Sequence, residues 1–352
     1  MSIRQVIQNI FSHTHLPFVT SHRYTVFGKV FTHTQYWHYN GKHHKSYRYE
    51  TMLTFLPPFV RGSLIMLLII CSTLMLVPFL FLAAMLKLLI PLATTRRWFT
   101  IVSIEIASLW VGFNNLLLSV VNDIEWDIDV AEGLDPKDWY FVTCNHQSWA
   151  DILVAQKALF RKIPMLKFFL KQQLIWVPVI GLAWWALDFP FMKRYSAAEI
   201  EKNPALKGKD LETTRKACEK FKYTPVTVFN FMEGTRFTPD KHRSQESPYQ
   251  YLLKPKAGGA AFVLGAMGEQ LHTLLNITIH YPSDDRSFWH FLSGKIRKVV
   301  VRIEKQSIPP RYLSRDYLSD QQFRAEFQQW VSELWAQKDQ LLSQLHGKTD
   351  PA

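Results

Sequence analysis

The chain has 352 residues and a formal net charge of +12 at neutral pH. This length is sufficient for one α/β domain with an attached segment. The positive charge is compatible with nucleic acid, an anionic lipid surface or a phosphorylated substrate. Because the basic residues are dispersed and no recognition module is present, we expect no nucleic-acid partner. Three scattered cysteines exclude a disulfide framework and a paired-cysteine zinc site.

Residues 1–51 are polar, aromatic and rich in histidine, and they contain seven of the 13 histidines. The histidine spacings match no standard metal site, and the acidic residues that would complete one are missing. We therefore expect residues 1–51 to be a disordered, basic extension. Because Met52 stands directly before an apolar segment, we also expect the functional protein to begin there.

A membrane anchor is predicted over residues 52–121. Leu64 to Leu86 is an uncharged run of 23 residues, long enough to cross the hydrocarbon core, with Pro78 as a kink site. Trp98 to Val120 is a second helical segment, but polar residues such as Glu105 interrupt its apolar face. A hairpin dipping into one leaflet, or one span plus an interfacial helix, fits this pattern better than two full spans.

From residue 122 onward the sequence is globular. Short apolar runs rich in β-forming residues predict buried strands at 139–144, 226–232, 274–281 and 299–303. Helical segments between them predict an α/β fold over residues 122–312, with a mostly parallel or mixed sheet flanked by helices. Over residues 313–352 the pattern predicts an amphipathic helix, capped by Ser319 with Gln322. We favour packing of this helix against the domain, and membrane contact is the alternative.

Polar residues follow the first of these strands. Asn145 and His146 stand at its carboxyl end, and the capping-box-like spacing of Ser148 and Asp151 puts Asp151 in the first turn of the next helix. On one continuous helix, five residues would advance about 500°, and the carboxylate would point away from the imidazole. With His146 on the preceding turn, Asp151 can reach one ring nitrogen and leave the other free to accept a proton. A loop histidine beside a helix-dipole aspartate explains the pattern equally well.

A second buried strand ends in Glu233, Gly234, Thr235 and Arg236. Gly234 allows close approach of the backbone to a ligand, and the planar guanidinium of Arg236 suits a phosphate. A surface turn with a solvated arginine is the alternative. Lys256, near the start of a small-residue helix, predicts an anion contact or simple helix packing. In a parallel sheet, the two strand ends would converge on one rim.

The residues near His146 do not supply an activated nucleophile. Ser148 and Cys144 lie close in sequence, but neither has the setting of a nucleophile elbow. We therefore expect the substrate to provide the attacking hydroxyl. Further ligands at metal spacing are missing around His146 and Asp151, so we expect no metal and no cofactor, and we consider a metal hydrolase improbable.

Asn145-His146-x4-Asp151 followed by Glu233-Gly-Thr-Arg236 resembles the glycerophospholipid acyltransferases, whose type members are 1-acyl-glycerol-3-phosphate acyltransferases. Longer stretches at 171–181, 186–195 and 208–215 are similar to the YihG-type probable acyltransferases of bacterial inner membranes. The resemblance covers approximately residues 55–345. It implies the glycerolipid acyltransferase fold, attachment to a bacterial inner membrane and a catalytic domain facing the cytoplasm.

The resemblance also implies roles for individual residues. His146 would be the general base that deprotonates a lysophospholipid hydroxyl, and Asp151 would orient it. The hydroxyl would attack an acyl thioester directly, with acyl-CoA or acyl carrier protein as the donor. The acceptor phosphate would be bound by Arg194, with Lys193 beside it, and by the segment 233–236.

We also assign Asn145 and Lys256 to substrate binding. Phe191 to Arg194 stand where the family has its second block. This block departs from the common bacterial form in having Met192 and Lys193 before the arginine, so the identity of the acceptor stays open. We expect 1-acyl-sn-glycerol-3-phosphate, with lysophosphatidylglycerol or lysocardiolipin as alternatives. A non-catalytic membrane adaptor that binds anionic lipids is an alternative of another class.

Overall fold

A computed structural model describes the backbone at residues 18–26, 29–39 and 43–49, and the chain at 53, 55–90, 92–192, 202, 218, 221 and 224–347. Within these residues, nine strands form one mixed sheet in the order β1-β2-β3-β4-β11-β10-β5-β9-β6. Its strands are β1 (Phe18–Val26), β2 (Lys29–Tyr39), β3 (His43–Tyr49), β4 (Glu125–Val130), β5 (Tyr140–Cys144), β6 (Leu166–Phe168), β9 (Thr227–Phe231), β10 (Thr273–His280) and β11 (Lys298–Ser307). Two short strands, β7 (Leu170–Lys171) and β8 (Phe191–Met192), pair separately.

The centre of the sheet is parallel. β10, β5, β9 and β6 run in one direction, while β11 and β4 run antiparallel to them. The register pairs Cys144 at the end of β5 with Phe231 at the end of β9. The predicted α/β fold with a mixed sheet is confirmed, and the two strand ends meet on one rim as expected.

The amino-terminal extension contains regular structure in its described part. β1, β2 and β3 form an antiparallel ladder, and β3 pairs antiparallel with β4, which joins the ladder to the rest of the sheet. The expectation of disorder over residues 1–51 therefore does not fit these three segments. The frequent Tyr, Trp, Phe, Val and Thr residues favour extended backbone, and this preference outweighs the basic, polar composition that predicted disorder. The remaining residues of the extension lie outside the described residues.

Two long helices precede the central sheet. α1 (Pro58–Leu89) contains Pro78 in its interior, and α2 (Ala93–Val121) packs beside it. The Trp110 indole of α2 donates a hydrogen bond of 2.9 Å to the Thr73 hydroxyl of α1. In the described part of the chain, both helices are long and apolar enough to cross a membrane. α1 leaves large apolar side chains exposed, among them Leu67, Leu74, Met75 and Phe79.

Shorter helices cover the rest of the sheet. They are α3 (Ala150–Leu159), α4 (Ile180–Ala186), α5 (Pro239–Ser244), α6 (Ala257–Met267), α7 (Phe288–Leu292) and α8 (Gln321–Gly347), with 3-10 turns at Gln172–Trp176 and Pro310–Tyr312. α8 buries Phe323, Phe327 and Trp335 in the core, so the prediction of packing is confirmed. Its cap differs from the prediction: the Asp320 carboxylate accepts the Phe323 N–H bond at 2.9 Å, while Ser319 donates to Asp316.

Candidate active site

His146 and Asp151 are brought together by the turn between β5 and α3. The His146 Nδ1 atom lies 2.9 Å from Asp151 Oδ2, and the carboxylate is fully buried. An ionised carboxylate can only accept hydrogen bonds, so Nδ1 is the protonated ring nitrogen. The Nε2 atom is then the nitrogen available to accept a proton.

The Asp151 carboxylate is held by three further donors. The backbone N–H groups of Gln147 and Ser148 donate to Oδ2 at 2.7 and 2.9 Å. The Tyr281 hydroxyl donates to Oδ1 at 2.7 Å. Burial, together with the charge of Asp151, raises the pKa of the Tyr281 hydroxyl well above its usual value, so this residue stays a donor. Four donors therefore fix the orientation of the carboxylate, and through it that of His146.

The imidazole ring of His146 is also stacked. The ring of Phe231, the last residue of β9, lies at a centroid distance of 4.0 Å with an interplanar angle of 19°. His146 is thus fixed by one carboxylate and one aromatic face. This arrangement leaves the ring few alternative rotations.

Glu233 connects the two strand ends from inside the protein. Its Oε1 atom accepts from the backbone N–H of His146 at 3.0 Å, and Oε2 accepts from that of Leu253 at 3.2 Å. Burial raises the pKa of Glu233 to about 8, although these two backbone donors act in the opposite direction. The predicted role of Glu233 in contacting substrate is therefore corrected: its carboxyl group is buried and positions the His146 backbone.

Asn145 also points into the protein. Its Nδ2 donates to the Ile279 carbonyl and its Oδ1 accepts from the Ile279 N–H, both at 2.9 Å. The side chain is fully buried, and these two bonds tie the end of β5 to β10. The predicted substrate contact of Asn145 is corrected in the same way, because its amide is occupied by backbone partners.

Arg236 and Thr235 face the same cleft as His146. The Arg236 guanidinium lies 4.7 Å from the centroid of the Trp149 ring. Lys241 on α5 donates to the Thr235 hydroxyl at 2.8 Å and to the Arg236 carbonyl at 3.0 Å. The Phe237 N–H donates to the His146 carbonyl at 2.7 Å, which joins this loop directly to the histidine turn.

Gly234 occupies a left-handed backbone conformation, with φ of +67°. A Cβ atom there would lie 3.3 Å from Cδ of Lys256, whose ammonium lies beside the same turn. Lys256 immediately precedes α6 and is exposed. It is therefore close to the 233–236 loop but does not line the cavity described below. Lys193 and Arg194 lie outside the described residues.

A cavity of about 590 Å³ extends from His146 and Arg236 between the central sheet and the amino-terminal helices. Its polar end contains His146, Thr235 and Arg236. Its walls are mostly apolar and come from four parts of the fold: α1 and α2, α3, the segment 165–189, and β9. This volume lies within the range of small-molecule binding sites.

The cysteines are not placed for covalent catalysis. Burial raises the pKa of the Cys144 thiol well above its usual value and that of Cys218 to about 12. A buried, protonated thiol is a poor nucleophile. Among the residues that the structure describes, no group of three or more His, Cys, Asp or Glu side chains could hold a metal ion.

Four residues of this site were not identified from the sequence: Tyr281, Trp149, Phe231 and Lys241. Tyr281 directly follows β10, and its position after a predicted buried strand could have marked it as a site residue. Trp149 lies within the histidine turn and is 55% exposed, which is high for tryptophan. Phe231 and Lys241 become recognisable only when β9 and the following loop are folded.

Residues 128–280, which include both strand-end motifs, match the family model described as Acyltransferase. The chain is 26% identical over 216 residues to 1-acyl-sn-glycerol-3-phosphate acyltransferase gamma of Mus musculus, covering 58% of this chain and 53% of that protein. It is also 26% identical over 184 residues to the Homo sapiens protein of the same name, covering 50% of this chain and 44% of that protein. The chain thus spans about half the length of the curated relatives it matches.

A solved structure, the 1-acyl-sn-glycerophosphate (LPA) acyltransferase PlsC from Thermotoga maritima, aligns with a TM-score of 0.45 and 18% sequence identity, covering 79% of this chain and 98% of that chain. The narrower resemblance to the YihG type stays a prediction. Residues 128–280 therefore carry an acyltransferase domain, and the named relatives support the predicted resemblance of this chain to the glycerophospholipid acyltransferases.

Proposed function

We propose that the protein transfers an acyl chain from an acyl thioester to the free hydroxyl of a lysophospholipid, with 1-acyl-sn-glycerol-3-phosphate as the acceptor. One observation carries this proposal: a carboxylate-oriented histidine and an arginine whose guanidinium makes no hydrogen bond or ion pair in the described residues line the polar end of one apolar cavity. Both residues lie within the region 128–280 that matches the acyltransferase family model.

In the proposed reaction, His146 Nε2 accepts the proton of the acceptor hydroxyl. The hydroxyl oxygen forms a bond to the thioester carbonyl carbon, and the carbon–sulfur bond then breaks. The departing sulfur takes the proton back from His146, so that the products are an ester and a free thiol. Asp151 stabilises the imidazolium that exists between these steps.

The acceptor phosphate is assigned to Arg236. In the described part of the chain, its guanidinium contacts the Trp149 ring and makes no hydrogen bond or ion pair, so its N–H donors are free for a phosphate. Charge-assisted, bidentate contacts of this kind are strong and directional. Lys256 lies beside the same loop and can add a second positive charge. Arg194 and Lys193, in the segment that resembles the family's phosphate-binding block, remain proposed phosphate ligands.

The apolar length of the cavity is assigned to an acyl chain. Its walls carry side chains such as Leu80, Val111 and Phe168, which offer no polar partners to a headgroup. Two of the walls belong to α1 and α2, the helices that have the length and composition of membrane spans. We infer that the protein is attached to a membrane, in a bacterium the inner membrane, with the catalytic domain on the cytoplasmic side where acyl-CoA or acyl carrier protein is present.

Release of free thiol tests the proposal. Purified protein in phospholipid nanodiscs is given acyl-CoA or acyl carrier protein loaded with the same chain. Lysophosphatidate, lysophosphatidylglycerol, monolysocardiolipin or no acceptor is then added. We expect thiol release that requires lysophosphatidate and yields phosphatidate in equal amount. A preference for another lysophospholipid would replace the acceptor assignment. Absence of thiol release with every pair would contradict enzymatic transfer and favour a lipid-binding adaptor.

A further inference from the structure

A second apolar surface lies on the catalytic domain, outside the amino-terminal helices. It consists of Trp176, Val177, Ile180 and Leu182, which we call the Trp176 patch. Their exposed fractions are 84, 37, 41 and 47%, respectively. An indole with 84% of its surface exposed is unusual for a domain that faces water on all sides. Residues 174–187 contain no charged side chain, and Lys171 and Asp188 flank them.

The Trp176 patch is built on a tightly folded turn. Val179 is a β-branched residue with φ of +66°, a strained conformation for such a side chain. The next N–H, that of Ile180, donates to the Pro178 carbonyl at 2.7 Å. A Cβ atom on Gly181 would lie 2.2 Å from the Ile175 carbonyl oxygen, so the turn and the preceding 3-10 helix are in close contact. The fold thus holds the apolar side chains outward.

This turn adjoins the candidate membrane helix. The rings of Trp185 and of Phe81 on α1 lie 6.4 Å apart. Leu80 of α1 shares a buried cluster with Ala186 and Leu187. The Lys87 ammonium of α1 is paired with the Asp188 carboxylate at the end of the segment. The segment that carries the Trp176 patch is therefore packed against α1 at its carboxyl-terminal end.

The Trp176 patch is continuous with the cavity. Ile180 belongs to both, since it is 41% exposed and lines the cavity wall together with Leu174 and Ala183. A lipid chain in a leaflet beside α1 would meet mostly apolar side chains at this wall of the cavity. Tryptophan is enriched where the headgroup and hydrocarbon layers meet, because its ring is apolar and its N–H is polar.

We propose that residues 174–182 are a second membrane-binding element, seated at the headgroup–hydrocarbon boundary, and that a lipid chain enters the cavity sideways past it. The partner is the lipid leaflet itself. The entry route rests on the proposed function, whereas the membrane contact does not. The two parts are therefore tested by different measurements.

Fluorescence quenching tests the membrane contact. Cys71 is exposed and is replaced by serine, while Cys144 and Cys218 are buried. Trp176→Cys in this background is labelled with an NBD fluorophore and reconstituted in phosphatidylethanolamine–phosphatidylglycerol vesicles carrying doxyl-labelled chains. Ala325→Cys, on the exposed side of α8, is the matched control. We expect quenching and a blue shift at position 176 only. Equal, weak quenching at both positions would overturn the membrane contact, whether or not the protein transfers acyl groups.

Kinetics tests the entry route. Trp176→Asp should raise the KM for long-chain lysophosphatidate in vesicles at least about five-fold, because a charge at the boundary is costly. It should leave the KM for a water-soluble, hexanoyl lysophosphatidate unchanged, since that acceptor needs no membrane entry. Trp176→Phe should restore the long-chain value. Equal changes for both acceptors, or no change for either, would overturn the entry route.

Discussion

The guanidinium of Arg236 rests against the indole of Trp149, with 4.7 Å between the guanidinium carbon and the ring centroid. Trp149 belongs to the turn between His146 and Asp151, whereas Arg236 follows β9. The stacking therefore couples the arginine directly to the turn that carries the histidine. It fixes the plane of the guanidinium and leaves its N–H edge free for an anion.

Trp149→Leu is expected to weaken acceptor binding without changing the chemical step. A cation–π contact at an exposed site is worth about 0.5–1 kcal/mol, so the KM for lysophosphatidate should rise about two- to five-fold with kcat nearly unchanged. Trp149→Phe should restore most of the affinity, and in an Arg236→Ala background Trp149→Leu should have no further effect. Steady-state kinetics of the four variants measures this coupling. A fall in kcat that persists in the Arg236→Ala background would indicate a general disturbance of the turn.

Tyr281→Phe tests the orientation of the Asp151 carboxylate, whereas Asp151→Asn tests its negative charge. The substitution removes one hydrogen bond to Asp151 Oδ1 but leaves the three donors on Oδ2. We expect kcat to fall by no more than about ten-fold, since one hydrogen bond is worth about 1 kcal/mol. Asp151→Asn should reduce kcat by at least about 100-fold, because the imidazolium loses its counter-charge. If the two variants were equally impaired, the Tyr281 contact would be as important as the carboxylate itself.

Glu233→Gln is expected to change how stability depends on pH. Since burial raises the pKa of Glu233 to about 8, the folded protein holds a proton that the unfolded chain releases near pH 4.5. The stability linked to this group is fully present below pH 4.5 and is lost as the pH rises through about 8, by at most about 1.4 kcal/mol per pH unit. The melting temperature of Glu233→Gln, in detergent, should therefore fall less between pH 5 and 8 than that of the wild type.

Glu333→Gln, at an exposed position of α8, provides the matched control for this measurement. Its melting temperature should follow the wild-type pH dependence. Parallel curves for all three proteins would show that Glu233 is ionised in the folded state throughout this range, contrary to the raised pKa.

Filling the apolar part of the cavity should shorten the acyl chain that the enzyme accepts. Ala107 on α2 lines the cavity, whereas the nearby Leu109 is 60% exposed. Ala107→Phe should shift the preferred chain length downward by two or more carbons, because the added ring occupies cavity volume. Leu109→Phe should leave the preference unchanged. Competition assays with a mixture of chain lengths measure it, and an unaltered profile in Ala107→Phe would mean that the chain lies elsewhere.

The position of the site on the sheet could be predicted from the sequence. Apolar runs located β5 and β9, and the carboxyl ends of parallel neighbours lie on one rim. The His146–Asp151 contact followed from the break between strand and helix. These are local patterns, and the parallel pairing of β5 with β9 brings their ends together.

The direction of individual side chains could not be predicted. Successive residues of an extended chain point to opposite sides, so Asn145 turns into the protein while His146 faces the cavity. Glu233 and Gly234 lie in the turn after β9, where Met232 and Glu233 are both buried and Gly234 is exposed. Asn145 and Glu233 were both predicted to contact substrate, and only the hydrogen bonds to the Ile279, His146 and Leu253 backbones show that their side chains are occupied inside the protein.

Contacts between residues that are far apart in the chain could not be predicted from the sequence either. Tyr281 reaches Asp151 from a strand 130 positions away, and that contact depends on the register of β10 with β5. The ladder of β1, β2 and β3 differs from the disorder that the basic, polar composition of this segment predicts, because its β-forming residues favour strands. Both the Tyr281–Asp151 contact and the ladder depend on pairing between strands, which the sequence pattern does not specify.

The initial rate of acyl transfer by His146→Ala tests the central claim most directly. Wild type, His146→Ala and His272→Ala are compared with lysophosphatidate and an acyl thioester. His272 is exposed and lies at the opposite end of β10 from Tyr281. We predict that His146→Ala loses at least about 100-fold in rate while His272→Ala keeps the wild-type value. Transfer by His146→Ala at a rate close to that of the wild type would contradict the assignment of His146 as the base.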